Sequence, residues 1–119
     1  MRILCILAAL VCLILFALLL TNGGMYVETY GVAADNGARF MARRAAPMFA
    51  GLAVLLWLVR DLPKGTARDA ICNAMAVIWA GIACTGIYEY VAGVAAATIL
   101  LAAVAELGIA LAFMVVRRA

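Results

Sequence analysis

Residues 3–20 read ILCILAALVCLILFALLL, eighteen apolar residues with no charge and no Pro. A helix needs about 20 such residues to cross the roughly 30 Å of bilayer hydrocarbon, so this stretch predicts a transmembrane helix. The rest of the chain agrees. Of its 119 residues, 71% are hydrophobic and 13% are charged, and the mean hydropathy is +1.21. Water-soluble domains are about half apolar and a quarter charged. A compact globule of this composition would be coated in exposed hydrocarbon, a surface that lipid accepts without cost.

In a sequence this apolar the charges act as punctuation, and they divide it into four spans. The first run is broken by Thr21, Asn22, Gly23 and Gly24, which predicts a helix over about 3–20. The second lies between Arg44 and Arg60, a charge-free stretch of 15 residues that covers only about 22 Å as a helix. A helix over 42–59 is long enough if Arg43 and Arg44 sit in its first turns and extend toward the headgroups. Pro47 then falls at a kink or in the first turn. The third span is expected over 70–88, with Asp69 as its N-cap, and the fourth over 91–116. Asp61-Leu62-Pro63-Lys64-Gly65-Thr66 reads as a turn. The short link from Glu89 to Gly93 makes spans three and four antiparallel neighbours. An outer loop is left over 22–40, where Asp35 is a candidate cap for an interfacial helix carrying Arg39, Arg43 and Arg44. The expected fold is an all-α membrane protein, a single four-transmembrane-helix bundle.

Lys and Arg placement sets the orientation. With the N-terminus inside, the cytoplasmic side carries Arg2, Arg60, Lys64, Arg68, Arg117 and Arg118, against Arg39, Arg43 and Arg44 outside. Six against three favours N-in, C-in, in a bacterial inner membrane. Trp57 near the inner end of span two, with Tyr88 and Tyr90 near the outer end of span three, suits interfacial aromatic anchors. The net charge of +3 is accounted for by these topology signals. A signal peptide is the rival reading of the N-terminus, but the apolar run is too long and no small-x-small site follows it.

The chain has no His, which removes the commonest metal and haem ligand and the commonest general base. No metal or other cofactor is expected. No Gly-rich phosphate loop, nucleophilic triad or nucleic-acid surface is present. Cys5, Cys12, Cys72 and Cys84 form no Cys-x-x-Cys pair and read as small apolar packing residues.

Glu106 is the most informative position. It lies eleven residues before Arg117, about 16 Å from the cytoplasmic edge and close to the midplane. An acid there is costly and marks function or a partner. Its helical neighbours Ala102, Ala103, Ile109 and Ala110 make a largely small-residue face, which turns it toward other helices rather than lipid. The candidate partners are Arg43 or Arg44 on span two and Asn73, Thr85 or Tyr88 on span three.

The four-span layout, the stretch Ala42-Arg43-Arg44-Ala45-Ala46-Pro47, the charged turn after it and the lone acid in Ala105-Glu106-Leu107 together resemble small uncharacterised four-helix inner-membrane proteins of bacteria. The resemblance implies the fold and no activity. Small multidrug-resistance transporters share the length and helix count, but carry their essential carboxylate in the first helix, where residues 3–20 hold no acid. Membrane glutathione transferases and quinone-linked thiol oxidases need polar and Cys motifs that this chain lacks.

The function expected from these residues is that of a non-catalytic accessory or structural subunit, in a respiratory, photosynthetic or transport assembly or with copies of itself. Its partners would be lipid and other membrane-protein subunits, with no nucleic acid. The alternative is a small oligomeric proton-coupled transporter using Glu106. A third class is a lipid- or quinone-modifying enzyme using Glu106 with Arg43, Arg44 or Tyr88.

Overall fold

A computed structural model describes residues 1–119 as four α-helices: α1 Arg2–Thr29, α2 Asn36–Val59, α3 Thr66–Val91 and α4 Thr98–Arg118. There is no strand, and all four helices are long and apolar enough to cross a membrane. The chain divides into two compact units, Arg2–Arg60 and Asp61–Ala119. Each unit is an antiparallel helix hairpin, α1 with α2 and α3 with α4.

In the first hairpin, the expected end of the helix near Leu20 and the loop over 22–40 are corrected. The break is real but local. Asn22 leaves the helical region (φ −147°, ψ 51°), and its side-chain oxygen accepts from the Met25 amide at 3.4 Å. Asn22 thereby caps a new helical segment that continues to Thr29. Just before the break, the Thr21 hydroxyl donates to the Ala17 carbonyl at 2.6 Å. The chain reverses over residues 30–35, where Gly31 takes a left-handed φ of 74° and donates to the Glu28 carbonyl at 2.9 Å.

The next helix then starts six residues before the expected 42, because Asp35 caps it: its carboxylate accepts from the Ala38 amide at 2.7 Å. Pro47 lies in the interior of α2 rather than in its first turn. Its ring leaves the Arg43 carbonyl without the usual amide donor. Leu19, Ala42 and Ala46 form a buried cluster covered by Phe16, Tyr26, Ala45 and Phe49. Tyr26 meets Tyr30 edge-on at 5.3 Å.

In the second hairpin, α3 begins at Thr66, so Asp69 is not the N-cap. Gly65 takes that place, and Asp69 sits in the first turn with its amide donating to the Gly65 carbonyl at 3.0 Å. Its charge still lies at the positive end of the helix. α3 runs past the expected 88 to Val91. Gly93 (φ 76°) closes it by donating to the Tyr90 carbonyl at 3.0 Å, a left-handed helix stop. The connection therefore occupies residues 92–97, and α4 starts at Thr98 rather than 91.

Buried positions on α3 are Cys72, Met75, Ala76, Trp79, Ala83 and Gly86. Their spacing of three and four residues is that of one helix face. On α4 the buried positions are Ala103, Ala110 and Phe113. Two contacts set the hairpin register. A Cβ built on Gly86 would lie 3.2 Å from Ile99 Cγ1, and Arg68 Nη2 donates to the Val116 carbonyl at 2.7 Å. The second contact satisfies a carbonyl in the last turn of α4 with a cation, which the helix dipole also favours.

Candidate functional site

The register brings Glu106 to an unexpected neighbour. Seven residues toward the N-terminus from Gly86 is Trp79, and seven toward the C-terminus from Ile99 is Glu106. Antiparallel helices advance equally, so the two residues share one level of the α3/α4 hairpin. Glu106 also continues the stripe formed by Ile99, Ala103, Ala110 and Phe113 at steps of three and four. It is half-buried and makes no hydrogen bond or ion pair within the chain. Trp79 is 2% exposed, and its indole Nε1, a donor, has no partner. An unpartnered buried donor and an unpartnered acid thus sit at the same level, each near the middle of its helix.

The other partners considered for Glu106 on α3 lie at other levels of the hairpin. Asn73 is six residues before Trp79 on α3, about 9 Å along the axis. Thr85 is six residues beyond it in the other direction, exposed, and donates its hydroxyl to the Ile82 carbonyl at 2.8 Å. Tyr88 is further still and exposed, as is Tyr90. Arg43 and Arg44 belong to the first hairpin. Arg43 Nε donates to the Arg39 carbonyl at 3.4 Å, and the Arg44 guanidinium lies 5.8 Å from the Phe40 ring centre. Trp57 is half-exposed near the end of α2, with the Arg60 guanidinium stacked 4.1 Å over its ring and donating to the Trp57 carbonyl. Trp79 was not among the expected partners because nothing in its own neighbourhood is polar. Only the pairing of α3 with α4 brings it to the acid.

A second polar location lies at the break in α1. There a cavity of about 540 Å³ is lined by Thr21, Asn22, Gly24 and Glu28 of α1 and by Arg39 and Arg43 of α2. Arg39 and Arg43 are four residues apart and project from the same face. The Arg39 side chain crosses Gly24 so closely that a Cβ there would lie 3.2 Å from its Nε. Two guanidinium groups face one carboxylate, and no ion pair joins Glu28 to either. The basic cluster is therefore divided by the structure. Arg39 and Arg43 line the cavity, while Arg44 stacks on Phe40.

Comparison of the chain with protein-family models, with curated proteins and with solved structures finds no match.

Proposed function

We propose that this chain is a multi-pass membrane protein of the bacterial inner membrane, N-in and C-in, acting as a non-catalytic accessory or structural subunit. The observation that carries the reading is a set of outward-facing glycines. Gly51, Gly81 and Gly108 lie inside α2, α3 and α4, all three are exposed, and a Cβ on any of them would meet nothing within 4 Å. A helix-interior glycine costs about 1 kcal/mol relative to alanine. No close approach within either hairpin uses that sacrifice. Between membrane helices, small residues let a neighbouring backbone come near and pack by van der Waals contact.

Large apolar side chains surround these positions, including Leu101, Val104 and Leu111 on α4, which are 76%, 70% and 66% exposed. Lipid or another membrane helix is the environment such a surface suits. Replacing Gly81 and Gly108 by Leu tests the reading. The variant is expected to migrate as a smaller species than wild type on a native gel after mild solubilisation. Unchanged migration would refute it.

A second reading is favoured by the Trp79–Glu106 level: a proton-coupled carrier in which Glu106 takes up and releases the proton. Intramembrane acids are the usual site of such relays. Proton flux in proteoliposomes that depends on Glu106 is its test.

A further inference from the structure

We propose that the cavity at the break in α1 binds the head group of a phospholipid carrying an ammonium, with its phosphodiester on Arg39 and Arg43 and its ammonium toward Glu28. The inference rests on the membrane-spanning reading of the helices. The segment of α1 before the break, Arg2–Thr21, has 20 residues and is therefore about 30 Å long, the thickness of the hydrocarbon core. The cavity then lies at head-group depth.

Its chemistry fits a phosphate before any other lipid group. Guanidinium is weakly hydrated, always charged and forked to match two phosphate oxygens. The Arg39 guanidinium makes no hydrogen bond or ion pair, and Arg43 uses only its Nε, on the Arg39 carbonyl. Glu28 would repel a purely anionic ligand but complements one that carries a positive charge beside its phosphate. Thr21 and Asn22 add neutral polar groups to the wall.

A separate observation points to an amphiphile rather than a free ion. A second cavity on the same hairpin, about 260 Å³, is almost wholly apolar and lies between Leu10 and Leu13 of α1 and Val54, Trp57 and Leu58 of α2. Leu10 precedes Thr21 by eleven residues, and Arg43 precedes Val54 by eleven. Eleven residues are close to three full turns. On both helices the apolar cavity therefore opens to the same side as the polar one, displaced about 16 Å along the axis toward the hydrocarbon. A head group in the first and an acyl chain running into the second satisfy both with one molecule.

The test uses the full chain reconstituted with dioleoyl-phosphatidylethanolamine, dioleoyl-phosphatidylglycerol or dioleoylglycerol, with retained lipid counted by native mass spectrometry. Wild type is expected to retain phosphatidylethanolamine over the other two. R39Q/R43Q should lower that retention roughly tenfold or more, as for loss of charge-assisted hydrogen bonds. Glu28→Gln, an exposed change compatible with folding, should shift preference toward phosphatidylglycerol. Undiminished retention by R39Q/R43Q would overturn the proposal. So would displacement of the lipid by millimolar inorganic phosphate, which would make this a soluble-anion site. Release of wild type from vesicles by alkaline carbonate would instead sink the membrane-spanning reading on which the proposal rests.

Discussion

Gly23 of α1 faces Ala42 of α2 so closely that a methyl group on the glycine would lie 2.5 Å from the alanine Cβ. Both residues are buried, and the cluster of Leu19, Ala42 and Ala46 closes beside them. The substitution Gly23→Ala is therefore expected to push the two helices apart at this level, at a cost of about 1–3 kcal/mol. Gly51→Ala, where the added carbon meets nothing, should be neutral or stabilising by up to about 1 kcal/mol. Thermal unfolding in detergent compares the two. Equal melting temperatures would contradict the close approach.

Arg68 is expected to hold the open end of the second hairpin, since its Nη2 reaches the Val116 carbonyl across 48 residues of sequence. Arg68→Met keeps much of the apolar stem and removes the charged donor. The expected loss is about 1.5–3 kcal/mol, the range for hydrogen bonds to charged groups. Faster hydrogen exchange confined to the last turn of α4 would locate the effect; exchange unchanged there would contradict it.

Asp35→Ala should fray the first turn of α2, because the carboxylate is the acceptor for the Ala38 amide. The expected cost is about 1 kcal/mol. The measurement is amide exchange at residues 36–39, with Asp35→Asn retaining most of the protection. Fraying by the Asn variant to the same degree would argue against a capping role.

Glu106→Gln separates the two functional readings. For a structural subunit, the variant changes assembly or stability and proteoliposomes of either protein show no coupled proton movement. For a carrier, wild type moves protons and the variant does not. Trp79→Phe, which removes the unpartnered indole donor, is expected to alter the same readout as Glu106→Gln. Independence of the two changes in a double-mutant cycle would contradict their shared level.

Four apolar helices were legible in the sequence because the signal is length and composition, which do not depend on tertiary contacts. Their bounds were less so. Asn22 interrupts the apolar run, and from the sequence alone a polar residue that ends a helix looks the same as one that caps its continuation. Asp35 was legible as a cap, since capping is local chemistry, whereas the cap of α3 was placed at Asp69, four residues beyond Gly65: an acid at the N-cap and an acid in the first turn look alike in the sequence. Glu106 stood out as a lone acid, but its level-mate Trp79 is fixed by the register of two helices. The cavity at the α1 break likewise depends on which residues of α2 cross Gly24, and no spacing within either helix encodes that.

The most direct measurement of the central proposal is recovery of tagged protein from native membranes in a gentle detergent, followed by native gel and mass spectrometry. An accessory or structural subunit is expected to emerge in a defined assembly of fixed stoichiometry, lost when Gly81 and Gly108 are replaced by Leu. Recovery of the wild-type chain as a lone monomer, stable and without partners, would contradict the account.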